Sequence, residues 1–359
     1  MRIALADPRL AFWGPQAVDQ QSGALRLERF PSEVARALAG QIGPLANLRS
    51  SAGCAVVVAS DSPRIRLHLE RLRHHQPVPQ GIALEVEDDA GWRVANSLDL
   101  RENEGDCMVE LATGLTPGRV RPLWLWLPHI ATCAVAGLDV DEGATLGPVA
   151  LPTPRWLAIG DSLTQGFTVQ SPVQGWVHRL MRRRNLPVWN LGVGGLRIET
   201  QAFAWALLSR TWDLVTIALG SNHAWRESEV TTAVGAAERL LEVVRRGGPD
   251  GAHRRVVWCL PPWKPCEEGK GPPDFAGMPL DRAAGERVGR VREALRARLK
   301  YEPGLTLAED LLPHDARLYP DGLHPTAYGA ACYATALDRV LGHEEEFGTN
   351  KVFPSVSSL

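Results

Sequence analysis

The chain has 359 residues, of which 45% are hydrophobic and 22% charged, and its formal net charge is −2. A chain of this length favours two domains, and the composition is that of an ordinary soluble globular protein. The near-zero net charge argues against a nucleic acid or an anionic membrane as the partner.

The start of the chain predicts no secretory signal, because Asp7 and Pro8 interrupt any apolar region. The longest near-apolar stretch, 122–138, is broken by Pro128 and His129 and is too short to span a membrane. The cysteines lack zinc-like or C-x-x-C spacing, and they are Cys54, Cys107, Cys133, Cys259, Cys266 and Cys332. We therefore expect a reduced, cytoplasmic protein that uses no metal or other cofactor, although a sequence with its signal removed would look similar.

Residues 1–150 contain short runs in which apolar and polar residues alternate. In one run, Ile65, Leu67 and Leu69 lie on one face of a predicted strand and charged or polar residues lie on the other. Similar runs occur at 82–87, 107–112 and 120–128. Many short strands, with a single short helix predicted at 32–39, indicate a β-sandwich.

After Pro154 the pattern changes to short apolar runs that alternate with longer helical patterns. The predicted strands lie at 156–159, 187–191, 213–219, 255–260 and 305–308. The predicted helices lie at 175–184, 196–209, 227–246, 280–300 and 326–342. This alternation predicts an α/β fold, a five-stranded parallel sheet with helices on both faces. The expected division is a β-sandwich domain over 1–150, a linker over 151–154, an α/β domain over 155–343 and a polar tail over 344–359.

The first strand of the α/β domain ends abruptly in Gly160-Asp161-Ser162. A strand that stops there and continues into a helix places Ser162 at the carboxyl end of the sheet, where open α/β sheets bind ligands. Ser162 is therefore a candidate nucleophile for acyl transfer, and Asp161 is expected to be structural. The alternative is an ordinary turn in which Asp161 and Ser162 cap a helix.

A base and its orienting group are available near the end of this domain. Asp321 and His324 lie three residues apart on a loop before the last predicted helix. That spacing lets the carboxylate hold one imidazole nitrogen while the other nitrogen faces a serine. The alternative is an aspartate that caps a helix beside a surface histidine.

Two further segments follow predicted strands and are candidates for oxyanion donors. Residues 190–197 contain three glycines, which allow the backbone to approach a substrate closely. The spacing of these glycines does not match a dinucleotide-binding turn. Asn222 supplies an amide donor after the third strand, although a turn asparagine is the alternative.

Taken together, these motifs resemble those of the SGNH (GDSL) hydrolases, a family of esterases and lipases with a flavodoxin-like α/β fold. The matching blocks are Gly160-Asp161-Ser162-Leu163, Asn190-Leu191-Gly192-Val193-Gly194-Gly195, Gly220-Ser221-Asn222 and Asp321-Gly322-Leu323-His324. The resemblance covers about 155–340. The sequence departs from the family pattern at His223, where an aspartate is common.

The resemblance implies a catalytic triad of Ser162, Asp321 and His324. It implies that an oxyanion is held by the backbone N–H groups of Ser162 and Gly195 and by the side chain of Asn222. Gly194 is a one-residue alternative to Gly195. A β-sandwich that precedes such a unit resembles, more loosely, the jelly-roll-like domain of a subset of carbohydrate acetylesterases.

The expected substrate is a short-chain acyl ester, with an acetylated carbohydrate first and a lipid-like ester or thioester as the alternative. His223, Trp225 and Trp263 are candidates for substrate contacts, with packing as their alternative role. Lys264 and the Gly/Pro-rich loop 266–279 are expected beside the site, where the loop would form a lid.

A different class of function is a non-catalytic glycan-binding protein on a hydrolase fold. The β-sandwich would bind glycan, shape the cleft or pair subunits in a homo-oligomer.

Overall fold

The structure, a computed structural model, describes residues 1–14, 17–21, 23–38, 46–76 and 78–342. The predicted tail at 344–359 and the last residue of the helix predicted at 32–39 lie outside these residues. The division of the chain at 151–154 stays a prediction.

The described part of the N-terminal half consists mainly of antiparallel strands. These are β1 (Arg2–Ile3), β2 (Ala11–Trp13), β3 (Ala17–Gln21), β4 (Ala24–Glu28), β5 (Ala55–Ser60), β6 (Arg64–Arg73), β7 (Gly81–Asp88), β8 (Gly91–Asp99), β9 (Gly105–Ala112), β10 (Arg121–Trp126), β11 (Thr132–Val140) and β12 (Leu146–Gly147). Two short helices, α1 (Ser32–Leu38) and α2 (Ala46–Arg49), lie between β4 and β5.

These strands form two sheets that pack face to face. One sheet has the order β3-β4-β11-β6-β9, with β1 beside β11, and the other has the order β12-β5-β10-β7-β8, with β2 beside β5. Ile65, Leu67 and Leu69 are all buried between the sheets, as their alternation predicts. The prediction of a β-sandwich before the α/β unit is therefore confirmed.

The central strands of the second sheet of the sandwich, β5 and β10, are covered on both faces. The outer face of this sheet, including Val57, Trp124 and Trp126, belongs to the same apolar cluster as Trp156 and Trp176 of the C-terminal half. Strand β5 is consequently buried along its whole length, which explains why it is apolar at five of six positions instead of alternating.

The C-terminal half alternates parallel strands with helices. Its elements are β13 (Trp156–Gly160), α3 (Ser162–Gln165), α4 (Trp176–Arg184), β14 (Val188–Gly192), α5 (Thr200–Ser209), β15 (Leu214–Ala218), α6 (Glu227–Val230), α7 (Ala233–Arg246), β16 (Val256–Cys259), β17 (Asp274–Phe275), β18 (Met278–Pro279), α8 (Arg282–Leu299), β19 (Leu305–Ala308) and α9 (Ala327–Leu341). Short 3₁₀ helices lie at Pro172–Gln174, Ser221–His223, Pro265–Glu268 and Ala316–Leu318.

Five parallel strands form a sheet in the order β14-β13-β15-β16-β19. Alternate residues of β13 face opposite helical layers, because side chains along a strand alternate between the two faces of the sheet. Leu157 and Ile159 pack with α5, α7 and α8, whereas Trp156 and Ala158 pack with α4 and α9. The predicted flavodoxin-like fold is confirmed, with its first strand second in the sheet so that two strand ends and their loops flank a crevice.

The helix predicted at 227–246 is divided into α6 and α7. Thr232 lies at the break, and its hydroxyl donates a hydrogen bond of 2.7 Å to the carbonyl oxygen of Glu229. A threonine that bonds to nearby backbone competes with the helical pattern. The helical spacing of apolar residues continues across the break, so the sequence pattern alone could not locate it.

Among the residues that the structure describes, no helix has the length and apolarity needed to cross a membrane. The same residues contain no group of three or more His, Cys, Asp or Glu side chains suited to hold a metal ion.

Candidate active site

Ser162 is the first residue of α3 and follows the carboxyl end of β13 after one residue, Asp161. Asp161 is the N-cap of this helix, and its carboxylate accepts a 3.0 Å hydrogen bond from the backbone N–H of Leu163. A side chain at Gly160 would collide with Thr164, since a Cβ there would lie 1.9 Å from the threonine hydroxyl. The turn therefore needs a glycine before a capping aspartate, and it presents Ser162 at the edge of the sheet.

His324 and Asp321 lie on the loop before α9 and reach Ser162. His324 Nε2 is 2.8 Å from Ser162 Oγ, and His324 Nδ1 is 2.7 Å from Asp321 Oδ2. The second oxygen of Asp321 accepts the backbone N–H groups of Leu323 and His324 at 2.9 and 2.7 Å. The carboxylate thus fixes both the loop and the imidazole, with Nδ1–H donating to Asp321 and Nε2 free to accept a proton from the serine.

Burial alone would raise the pKa of Asp321. The hydrogen bonds from the side chain and backbone of His324, together with the charge of His324, outweigh burial and hold the pKa below its usual value. Asp321 therefore stays ionised beside the imidazole. An ionised carboxylate in this position can stabilise an imidazolium when His324 takes up a proton.

Gly195 and Asn222 lie in the segments that follow the neighbouring strands β14 and β15, and both line the cavity in front of Ser162. The Asn222 amide donates to the Leu196 carbonyl at 3.0 Å, and its oxygen accepts the indole N–H of Trp225 at 3.0 Å. An asparagine amide carries two N–H bonds, so the second remains for a ligand. These contacts orient the Asn222 amide without using its full donor capacity.

The backbone N–H of Gly194 is already engaged, because it donates a 2.6 Å hydrogen bond to the side-chain oxygen of Gln165. Gly195 has φ +78°, a left-handed conformation that favours glycine. The geometry therefore favours Gly195 over Gly194 as the backbone donor for an oxyanion. Its assignment to that role stays a prediction.

A cavity of about 230 Å³ opens in front of Ser162 and His324. Apolar side chains cover much of it, and Phe167 packs against the imidazole of His324 with ring centroids 4.6 Å apart. Phe275 and Met278 come from the β17–β18 hairpin within the loop that the sequence predicted beside the site. The sandwich half contributes Asn47 and Gln76 to the lining.

Lys264 is a functional candidate to which the sequence analysis assigned no role beyond its place beside the site. Its side chain is 1% exposed, lines the cavity and donates a hydrogen bond to the Leu323 carbonyl, immediately before His324. Burial lowers the pKa of Lys264 to about 8, although the charges of Asp161 and Asp321 oppose this shift. No local sequence pattern identifies this contact, because Lys264 and Leu323 are far apart in the chain.

Trp225 lines the cavity, as the sequence suggested, but His223 and Trp263 do not. His223 is 3% exposed, and its Nε2 accepts a hydrogen bond of 3.1 Å from the backbone N–H of Ile198. Trp263 is 6% exposed and stacks on His314 with ring centroids 5.1 Å apart. Neither side chain reaches the cavity, because the His223 ring is held by hydrogen bonds and the Trp263 ring is stacked, and their role as substrate contacts stays a prediction.

Comparison with known proteins identifies a family match for most of the C-terminal half and a shared fold for the whole chain. Residues 158–332 match the model of the GDSL-like lipase/acylhydrolase family. No curated protein sequence matches the chain.

Several solved structures share the fold of the whole chain. A salicylyl acyltransferase from a tetracycline biosynthetic pathway is 20% identical, with 98% of each chain covered and a TM-score of 0.73. A Bacteroides ovatus protein described as a GDSL-like lipase is 17% identical, covering 93% of this chain and 96% of that one, with a TM-score of 0.72. An acetyl xylan esterase from Butyrivibrio proteoclasticus is 11% identical, covering 97% and 99%, with a TM-score of 0.58. At these identities the similarity shows a shared fold.

Proposed function

We propose that residues 158–332, which match the GDSL-like lipase/acylhydrolase family, form a serine ester hydrolase that removes a short acyl group, most simply acetyl, from a carbohydrate. The observation that carries the proposal is the chain of hydrogen bonds from Asp321 through His324 to Ser162, at 2.7 and 2.8 Å, which ends at the cavity. A degenerate, non-catalytic glycan-binding protein would not need this chain of contacts.

In the proposed mechanism, Ser162 Oγ attacks the ester carbonyl while His324 Nε2 takes its proton. Asp321 stabilises the imidazolium that forms. The backbone N–H groups of Ser162 and Gly195 and the free N–H of Asn222 hold the oxyanion of the tetrahedral intermediate. His324 then returns the proton to the leaving alcohol, and a water molecule hydrolyses the acyl-serine by the same steps.

The size of the cavity supports a small substrate. Its volume of about 230 Å³ is below the roughly 300–1,000 Å³ of typical drug-sized ligand pockets. An acetyl group and one sugar ring form a compact ligand for a cavity of this size, whereas a long acyl chain would extend beyond it. Aromatic faces at Trp225 and Phe275 suit stacking on a sugar ring, and the amides of Asn47 and Gln76 suit its hydroxyl groups.

The apolar part of the lining favours a second candidate, a short-chain lipid-like ester or thioester. Phe167, Phe275 and Met278 would contact an apolar acyl or alcohol group equally well. The two candidates differ in how activity depends on acyl length and on sugar hydroxyl groups.

The test compares wild type with Ser162→Ala on p-nitrophenyl acetate, butyrate and octanoate and on acetylated xylo-oligosaccharides. We expect wild type to prefer acetate and to release acetate from the oligosaccharides, and Ser162→Ala to lose nearly all activity. Ser171→Ala is the matched control, because Ser171 is a buried serine outside the cavity. Equal rates for wild type and Ser162→Ala would overturn the proposal, and a preference for octanoate would favour the lipid-like substrate.

A further inference from the structure

We infer that Arg29 and Asn47, which belong to the N-terminal half, are positioning residues that hold the oxyanion loop (residues 192–196) in its active geometry. This inference rests on the proposed function, because it concerns how the Gly195 N–H is aimed at the reacting carbonyl. It gives the N-terminal half an indirect role in catalysis, through the position of this loop, in addition to the glycan-binding, cleft-shaping or pairing role expected from the sequence.

Arg29 connects the two halves of the chain below the oxyanion loop. Its guanidinium is 1% exposed. It donates to the carbonyl oxygens of Gly192 and Asn190 at 2.8 and 3.2 Å, at the end of β14. On the N-terminal side it donates to the carbonyl oxygens of Asn47 and Ser50, both at 2.8 Å, and to the Ser50 hydroxyl at 3.0 Å. These contacts use all five donors of a guanidinium.

Asn47, which Arg29 holds in place, contacts the oxyanion loop itself. Its side-chain N–H donates a 3.1 Å hydrogen bond to the carbonyl oxygen of Gly194. On the other side, the Gly194 N–H donates to Gln165, whose own amide donates to Ser50 and to the His129 carbonyl. The loop is therefore held both by the helix that carries Ser162 and by residues of the N-terminal half.

The contact at Gly194 controls the direction of the Gly195 N–H. The Gly194 carbonyl and the Gly195 N–H belong to one planar trans peptide, so they point in opposite directions. When Asn47 holds the carbonyl oxygen on one side, the N–H must point to the other. Two consecutive glycines would otherwise let this peptide rotate at little cost.

Loss of the hydrogen bond from Asn47 to the Gly194 carbonyl would displace the Gly195 N–H, which the transition state needs as an oxyanion donor. A misplacement of about 1 Å can lower a rate about a hundredfold, and complete loss of one oxyanion donor costs about a hundred- to a thousandfold. We therefore expect kcat to fall about ten- to a hundredfold when Asn47 can no longer donate. KM for p-nitrophenyl acetate should change little, because this ester has no sugar hydroxyl groups for Asn47 to contact and its ground state does not depend on the Gly194 contact.

The experiment measures kcat and KM on p-nitrophenyl acetate, together with Tm, for Asn47→Ala, Arg29→Lys and Arg29→Met. Arg182→Met is the matched control. Arg182 also joins the two halves as a largely buried arginine, and its contacts with Glu85 and the face of Trp92 are to residues outside the oxyanion loop. Arg182→Met should lower Tm and leave kcat within about twofold of wild type.

We expect kcat to fall in Asn47→Ala and Arg29→Met, with Arg29→Lys between wild type and Arg29→Met because lysine supplies three donors instead of five. Wild-type kcat in Asn47→Ala, or an equal loss of kcat in Arg182→Met, would overturn the inference. If Arg29→Met does not fold, Asn47→Ala and Arg29→Lys still decide. Failure of the proposed function would look different, because wild type itself would then be no faster than Ser162→Ala.

Discussion

The two sides of the candidate active site are built from different parts of the chain. The nucleophile side consists of Ser162, His324 and Asp321, and its hydrogen bonds lie within the C-terminal half. The oxyanion side includes the loop 192–196, which is held by Arg29 and Asn47 of the N-terminal half. The difference indicates that the proton-transfer groups are held by contacts within the C-terminal half. The geometry of the oxyanion side, in contrast, depends on how the two halves pack.

Replacing a member of the nucleophile side should have the largest effect. His324→Ala removes the only imidazole that contacts Ser162 among the described residues, so kcat should fall by about a thousandfold or more. Steady-state hydrolysis of p-nitrophenyl acetate measures this loss. His314→Ala, at a half-exposed histidine, is the control and should keep nearly full activity.

A direct change on the oxyanion side should have a smaller effect. Asn222→Ala removes a side-chain donor, and kcat should fall by about a hundred- to a thousandfold. The measurement is again kcat and KM on p-nitrophenyl acetate, with Asn96→Ala in the β-sandwich as the control. If Asn222→Ala raised KM and left kcat unchanged, Asn222 would contact the bound ester and not the oxyanion.

An indirect change on the same side should be weaker still. Trp225→Phe keeps an aromatic ring at the cavity but loses the 3.0 Å hydrogen bond that orients the Asn222 amide. We expect kcat to fall about three- to tenfold, since the loss corresponds to one neutral hydrogen bond. A double variant with Asn222→Ala should be no slower than Asn222→Ala alone, because Trp225 would act through that side chain.

A contact between the halves that lies away from the oxyanion loop should affect stability and not rate. The carboxylate of Glu85 is buried against His178, Arg182 and the indole N–H of Trp126. Glu85→Gln leaves the guanidinium of Arg182 without its counter-charge and should cost about 3 kcal/mol of unfolding free energy at pH 7. Thermal or urea unfolding measures the cost, and kcat at 25 °C should stay within about twofold of wild type.

The stability that Glu85 contributes should depend on pH in a defined direction. Burial alone would raise the pKa of Glu85, but the charges of His178 and Arg182 and their hydrogen bonds hold it well below its usual value of 4.5. A carboxylate with a lowered pKa stabilises the folded state above the pKa of the unfolded chain and loses this effect as pH falls towards the folded pKa. The difference between wild type and Glu85→Gln should therefore shrink as pH falls below about 4.5, because the carboxylate is then being neutralised in wild type. A difference that grew between pH 4.5 and pH 3 would contradict this account.

The sequence by itself determined the fold class and the order of the motifs. Alternation around Ile65, Leu67 and Leu69 indicated the β-sandwich, and short apolar runs separated by helical patterns indicated the parallel sheet. The glycine and aspartate before Ser162, and the spacing of Asp321 and His324, predicted which side chains would meet. These signals are local, because strand and helix periodicity, capping and loop spacing each depend on residues that are close together in the sequence.

Only the tertiary structure decided how the two halves share the site. It placed Asn47 and Lys264 in the cavity lining and Arg29 against the oxyanion loop, favoured Gly195 over Gly194, and buried His223 and Trp263 outside the cavity. Each of these outcomes depends on a contact between residues far apart in the chain or on which face of an element becomes covered. A single sequence does not predict such contacts, because they produce no periodic pattern of residues. A buried polar or aromatic side chain could pair with any of several residues that are distant in the sequence.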